Sequence, residues 1–272
     1  MNFDILFHNY TQIYNLISDD VVIINKLYGL PMFGDNYLHS VEKYQKALAR
    51  YLNCEELFQV HRLDKSTSGI LVLAKTQEMH KHLAQLFMKR KIDKTYWAIC
   101  NGTPNPPEAV IDIPICEAKL NGRYRMTVNP DYKSQSNLIK PKKIRSSSAN
   151  NPAITNYRTI KSKGNAALLE VNPITGYKHQ IRVHFGLGLN TPVLGDSKYS
   201  SVDFDDRPQK VHGDLLERLK VKKSKARDLP ILLHAKSIKI PEIMTNKDLH
   251  VTASLPHHYV NIMRALKLRP RK

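Results

Sequence analysis

Five consecutive apolar residues, Ile70-Leu71-Val72-Leu73-Ala74, follow directly on the polar stretch His61-Arg62-Leu63-Asp64-Lys65-Ser66-Thr67-Ser68-Gly69. A short unbroken apolar run bounded by turn residues predicts a buried strand, and a buried strand obliges the chain to cover it. The loop before it carries one carboxylate, Asp64, between two apolar runs. A loop carboxylate held by rigid neighbours can be aimed at a substrate. Most loop aspartates instead cap an ordinary turn, and taken alone the loop leaves both readings open.

The remaining pattern supplies the cover. Val21-Val22-Ile23-Ile24 predicts a second buried strand. Ser40 and Thr76 are placed to cap helices, the first with Val41, Tyr44, Leu48 and Tyr51 on one face, the second with Met79, Leu83, Leu86 and Phe87 turned inward. Residues 95–100, 109–113, 153–160, 166–171 and 231–240 all read as strands, with few helices between them. Strands without regular intervening helices predict an α+β fold, a mixed and mostly antiparallel central sheet with flanking helices and loops.

Charge narrows the partner. A formal net charge of +18 over 272 residues points to a polyanion, and nucleic acid is the commonest one. Two segments concentrate this charge: residues 119–150, with Lys119, Arg123, Arg125, Lys133, Lys140, Lys142, Lys143 and Arg145, and residues 207–227, with eight Lys or Arg. Both read as mobile basic insertions that contact phosphates without reading sequence. The three cysteines, Cys54, Cys100 and Cys116, are far apart, which argues against a zinc ribbon or disulfide scaffold and for a reducing compartment. No run of 18 apolar residues is present to cross a membrane as a helix. Residues 1–20 contain no Lys or Arg and read as neither a secretory signal nor an Arg-rich transit peptide.

A second dense motif is Thr175-Gly176-Tyr177-Lys178-His179-Gln180-Ile181-Arg182-Val183-His184, preceded by Leu169-Glu170-Val171-Asn172-Pro173 and followed by Pro192-Val193-Leu194-Gly195-Asp196-Ser197-Lys198-Tyr199. Its histidines invite a metal reading. His179 and His184 are five apart, however, not the i, i+4 pair of a helical zinc site, so structural or RNA-facing histidines are expected and no metal. Lys94-Thr95-Tyr96-Trp97-Ala98 and Leu233-His234-Ala235 complete the set, with Asn25-Lys26-Leu27-Tyr28-Gly29-Leu30 as a weaker member.

Together these stretches resemble, in order and over residues 20 to 241, the motifs of the RluA-type RNA pseudouridine synthases: H-R-L-D-x-x-T-S-G, K-x-Y-x-A, and L-x-V-x-P-x-T-G-x-x-H-Q-I-R-V-H with its P-I-x-G-D-x-x-Y continuation. Leu27 stands where proline is usual. Tyr177-Lys178 replaces the common Arg-Thr and is similar to mitochondrial members. The resemblance implies one catalytic domain over residues 1–272, without the S4-type domain that precedes many relatives. It implies Asp64 as nucleophile, Arg182 as its paired cation and Tyr96 against the target base. It implies His61, Arg62, Thr67, His179, Gln180 and Leu233 as substrate contacts, Arg62 filling the space of a flipped base and Leu233, or else Leu232, walling the base pocket. The implied partner is structured RNA (ribosomal, transfer or messenger), with no cofactor and no membrane; no heptad or spare apolar stripe is visible in the sequence, so a monomer is expected. The implied compartment is the mitochondrial matrix, with cytoplasm or nucleus left open by the N-terminal composition.

The chemistry suits these residue types. Turning uridine into pseudouridine breaks an N-glycosidic bond, rotates the base and makes a carbon–carbon bond to the same sugar, with no redox change. The carboxylate must be ionised and shielded from water. Burial alone would neutralise it, and a guanidinium reverses that. Tyr96 offers a flat face and a hydroxyl, although an isolated strand tyrosine is more often core. A non-catalytic RNA-binding or ribosome-assembly factor on the same fold is the competing expectation, and a metal-dependent nuclease the third.

Overall fold

The computed structural model describes residues 11–14, 20–34, 39–120, 123–129, 151–200, 211–244 and 247–270. The chain forms two compact units, each built from two segments: Met1–Thr95 with His234–Pro256, and Tyr96–Leu233 with His257–Lys272.

In chain order the first segment carries β1 (Thr11–Tyr14), β2 (Val21–Lys26), α1 (Val41–Tyr51), β3 (Phe58–Gln59), β4 (Ser68–Ala74) and α2 (Gln77–Met88). The second carries β5 (Asp93–Asn101), β6 (Glu108–Asp112), β7 (Ile115–Leu120), β8 (Arg123–Val128), β9 (Ile154–Lys163), β10 (Ala166–Pro173), α3 (Gln180–Val183) continued by a π-helical turn His184–Gly188, and α4 (Gly213–Leu219) followed by a 3-10 turn Lys223–Asp228. The chain then returns with β11 (Leu233–Met244) and β12 (Lys247–Thr252) and closes on α5 (His257–Ala265).

In the first unit β2 lies between β1 and β4, antiparallel to both, and β11 pairs β4 in parallel through His234↔Ser68 and Ala235↔Gly69. Every residue of β2 and β4 is buried, which is why both read as unbroken apolar runs and not as alternating ones. Val21, Ile23, Ile70 and Val72 pack with Leu83, Ile238, Ile240 and Val251, each worth about 1.5–3 kcal/mol on burial. Gly69 is required by this pairing. Its φ is +112°, and a Cβ there would stand 2.3 Å from the Ala235 carbonyl oxygen. Ser40 and Thr76 cap α1 and α2 as expected, accepting from Lys43 and Met79 N–H. Tyr51 does not join the inward face and is 65% exposed. The buried stripe of α1 is Val41, Leu48 and Ala49, and Tyr51 falls about a quarter turn off it at 3.6 residues per turn.

In the second unit β10 is central, antiparallel to β5 and β9, and β6 extends the β9 edge. Tyr157, Leu169, Val171, Phe185, Val193 and Leu233 form its main core. The two basic segments are corrected here. Residues 115–120 and 123–128 pair as regular antiparallel strands, and their Ile115 and Met126 pack with Val183, Leu187 and Tyr199. Residues 213–219 are helical, with Leu215 and Leu216 buried. In each case small or apolar residues between the cations anchor the segment. Residues 130–150 and 201–210 lie outside the described residues. The fold is a mixed α+β arrangement with a largely antiparallel sheet, as the sequence predicts.

Candidate active site

The Asp64 loop is fixed from within the first unit. Gly29 N–H donates to the Lys65 carbonyl at 2.8 Å, and Thr67 N–H to the Asp64 carbonyl at 3.0 Å. Lys26, fully buried at the end of β2, points its ammonium at three carbonyls: Leu30 at 2.8 Å, Leu27 at 3.0 Å and Lys65 at 3.3 Å. Burial pushes its pKa down to about 7, and the Asp64 carboxylate acts in the opposite sense. Two loops, 27–30 and 64–67, are thus tied to one cation. The signal for this role in the sequence is a lone lysine ending a strand that opens with four apolar residues, Val21 to Ile24.

His61 has a partner within the scaffold. Its Nε2 accepts the Val72 N–H at 2.9 Å, just beyond the short pairing of β3 with Leu73 and Ala74 of β4. The ring stacks on Phe87 with centroids 4.8 Å apart. Burial, then the Lys94 charge, pushes its pKa down to about 3, so the imidazole remains the neutral acceptor that this bond needs. Arg62 is exposed, Asp64 half-buried and Thr67 buried. Ser68 and His234, joined at 2.9 Å, bond across the parallel pair.

Arg182 sits on α3 in the second unit, 6% exposed. Its guanidinium binds Asp196 in a fork, Nε to Oδ2 at 2.7 Å and Nη2 to Oδ1 at 2.9 Å, and lies 5.1 Å from the Tyr199 ring centroid. Asp196 and Tyr199 were quoted in the second motif without a role; Asp196 is a buried carboxylate whose partner is now visible. His179 enters α3 in the left-handed conformation, φ +58°, and its Nδ1 is 2.6 Å from the Tyr199 hydroxyl.

Gln180 is likewise bonded within the scaffold. Its carbonyl oxygen accepts from the Thr175 hydroxyl and Tyr177 N–H at 2.7 and 3.1 Å, and its amide nitrogen donates to the Ile154 carbonyl and Thr155 Oγ1 at 3.0 and 2.9 Å. Both ends of the amide are engaged inside the protein. The chain continues from Thr155 to His184 Nδ1 and from His184 Nε2 to the Ile113 carbonyl, each at 2.9 Å. Burial pushes the His184 pKa down to about 4. This buried polar relay fixes the start of α3, and therefore the backbone of Arg182, against β9.

Tyr96 is half-buried in β5 and packs at the margin of the core cluster that includes Ile181 and Leu233. Leu233 is 4% exposed. Leu232 is fully buried and its backbone bonds both Ile99 and Leu194.

Comparison with known proteins agrees with these motifs. The family model described as RNA pseudouridylate synthase matches residues 20–186. The chain is 38% identical over 258 residues to "Pseudouridylate synthase RPUSD4, mitochondrial" of Homo sapiens, covering 92% of this chain and 67% of that protein. It is 39% identical over 259 residues to the Bos taurus protein of that name, covering 92% and 68%. The solved structure titled "Human RNA Pseudouridylate Synthase Domain Containing 4" superposes with a TM-score of 0.80 at 36% identity, covering 94% of this chain and 93% of that one. Sequence, fold and motif order therefore converge: the chain belongs to the RNA pseudouridylate synthase family of the RluA type and is an isomerase acting on RNA.

Proposed function

We propose that this enzyme isomerises specific uridines of structured RNA, with the Asp64 carboxylate as nucleophile on a base turned out of its stack. The observation that carries the reading is the fixation of the Asp64 loop by Lys26, Gly29 and Thr67. A nucleophile must be held in a near-attack geometry, and positioning of this kind accounts for a large share of the barrier lowering. Tyr96 lies against the target base and takes part in loss of the ring-carbon proton. Arg182 is the cation of the reaction centre. Arg62, exposed and two residues before Asp64, fills the stack that the base leaves, offsetting an extrusion cost of a few kcal/mol. Leu233 supports the apolar side of the base pocket. The substrate is ribosomal, transfer or messenger RNA. The mitochondrial names of the relatives support work in that compartment, and the chain acts as a monomer.

The test is a map of pseudouridine across total RNA from cells carrying either the wild-type chain or Asp64→Asn. The expected result is loss of a defined set of sites in the variant, with circular dichroism and RNA binding unchanged. Full turnover by Asp64→Asn on a true substrate would end the nucleophile assignment.

A further inference from the structure

Residues 218–227 carry six Lys or Arg and no Asp or Glu. They span the end of α4 and the 3-10 turn that follows it. Arg218 joins this stretch to two others of the same unit. Its Nη1 donates to the Lys163 carbonyl at 3.0 Å, at the end of β9, and its Nη2 to the Leu266 carbonyl just past α5. Lys161 Nζ donates to the Arg269 carbonyl at 2.7 Å. Beneath them α4 packs on α5, with Leu215, Leu266 and Leu268 fully buried. The joined segments add cations and no acids: residues 161–164 hold Lys161 and Lys163, and residues 257–270 hold Arg264, Lys267 and Arg269.

Three acids flank the stretch. Asp214 accepts from the Asn165 side chain at 2.9 Å and so holds the β9–β10 turn. Asp228 lies 3.4 Å from Lys225, and Glu217 is exposed on α4. Helix dipoles explain part of the positive charge. Lys220 and Lys267 end α4 and α5 in the left-handed conformation, φ +55° and +54°, a position usually taken by glycine, and a cation there suits the carbonyl end of a helix. The dipoles do not explain Lys222, Lys223 and Arg227, which lie beyond α4 and are exposed, as Lys163 is. Exposed cations on an anchored backbone suit a row of phosphates. The strand β5 sets their distance from Tyr96. Asn101 Oδ1 accepts the His212 N–H at 3.1 Å, and Gly102 N–H donates to the Asn165 carbonyl at 2.7 Å. The β9–β10 turn and the start of α4 therefore sit at the Asn101 end of β5. Tyr96 lies five residues earlier, about 17 Å along the strand.

We infer that Lys163, Lys220, Lys222, Lys223, Arg227 and Lys267 form a contact face for the backbone of the substrate RNA, at the opposite end of β5 from Tyr96. The face takes phosphates of the structured part of the RNA, away from the target uridine, and reads no bases. Arg218 is its brace and not one of its contacts, since its guanidinium is spent on two carbonyls. The inference rests on the reading of the protein as an enzyme of structured RNA and adds a remote grip on that RNA.

Two fluorescein-labelled RNAs are the probes: a long stem–loop with a uridine in its loop, and the loop sequence alone as a short single strand. Each is titrated by fluorescence anisotropy over a series of salt concentrations. A phosphate contact contributes about 0.7–0.9 to the slope of log affinity against log salt. Lys222→Gln with Lys223→Gln is expected to bind the stem–loop several-fold more weakly at low salt, with that slope reduced by about 1.4–1.8. Affinity and slope for the short strand should match the wild type. Lys239→Gln with Lys247→Gln removes an equal charge from β11 and β12 of the other unit and should leave both slopes unaltered. An unchanged stem–loop slope in the first variant overturns the face, as does an equal fall in the second variant or with the short strand. So does a wild-type chain that fails to bind the stem–loop. An unchanged slope together with lost binding to cardiolipin vesicles would overturn it in favour of a lipid surface. All four lysines are exposed, so both variants should fold, which circular dichroism checks. The reaction is scored separately. If the wild-type chain forms no pseudouridine while the slope still falls, the face stands and the proposed reaction fails. If pseudouridine forms and the slope does not fall, the face alone fails.

Discussion

Asp196 holds Arg182 through both carboxylate oxygens, at 2.7 and 2.9 Å, with the two side chains 1% and 7% exposed. The same carboxylate accepts the main-chain N–H groups of Lys198 and Tyr199 at 3.1 and 3.3 Å. One residue therefore sets the plane of the guanidinium and shapes the turn beneath the Tyr199 ring. Removing one partner of a buried pair leaves the other charge uncompensated, at about 3–5 kcal/mol. Asp196→Ala should lose about that much stability in urea unfolding and slow single-turnover pseudouridine formation. Asp196→Asn keeps the shape and one acceptor for the turn, and should fall between. An Asp196→Ala protein as stable as the wild type would show that the fork contributes nothing to the fold.

Tyr96→Phe separates packing from chemistry. The ring stays at the edge of the Ile181 and Leu233 cluster, so RNA affinity should remain within a few-fold of wild type. Loss of a hydroxyl that takes part in proton transfer should lower the single-turnover rate by about 100-fold or more. An unchanged rate would remove the hydroxyl from the mechanism and leave Tyr96 as a wall of the pocket.

The contrast between Asp64 and its supports shows how much was legible in the sequence. The strands 21–26 and 68–74 were readable because apolar runs and turn residues are local signals, and the caps Ser40 and Thr76 for the same reason. Asp64, Tyr96 and Arg182 stood out by motif. The hydrogen bonds that make a motif histidine or glutamine part of the scaffold were not legible. His61 pairs with Val72, eleven residues on, and Gln180 with Thr155, twenty-five back; such partners are set by strand pairing, not by spacing. The strand pair 115–120 and 123–128 was missed because its buried residues, Cys116, Ala118 and Thr127 among them, are small and lie between cations, so a charge count outweighed a weak alternation. The division into two units was hidden too, since the first is completed by residues 234–256 from far along the chain.

Lys26 should prove structural for the Asp64 loop. Its ammonium satisfies the Leu27, Leu30 and Lys65 carbonyls, and a methionine of similar length leaves them without that donor. Buried acceptors without a partner cost about 1–3 kcal/mol each. Lys26→Met is therefore expected to lower stability by about 2–3 kcal/mol and to reduce kcat more than RNA affinity, because the loop, not the strand grip, loses its anchor. The folded-state pKa of about 7 lies below the ordinary lysine value. Between the two the unfolded chain holds the proton that the folded chain has released, so the wild type should gain stability as pH rises through that window. Lys94, pushed down to about 8 by burial, contributes in the same direction, so in Lys26→Met the gain should shrink by one proton's slope, about 1.4 kcal/mol per pH unit at most. An undiminished slope in the variant would mean that Lys26 does not titrate in this window.

Acid should act through His61 and His184. The pKa values of His61 and His184 are pushed down to about 3 and about 4 by burial, against an ordinary value near 6.5. Both imidazoles are acceptors in the fold, His61 from Val72 N–H and His184 from the Thr155 hydroxyl, and protonation would turn an acceptor into a donor facing a donor. A depressed histidine contributes stability that is fully present above about pH 6.5. It is lost as pH falls toward the folded value, because the unfolded chain binds protons that the folded chain refuses. Each group gives a slope of up to about 1.4 kcal/mol per pH unit. Urea midpoints measured between pH 6.5 and 5 avoid most carboxylate titration and should fall steadily in the wild type. His184→Gln should be less stable at neutral pH and should show a shallower fall by about one proton's slope. An identical slope in wild type and variant would mean that His184 is protonated in the folded chain, and that the relay through Thr155 is not what fixes the start of α3.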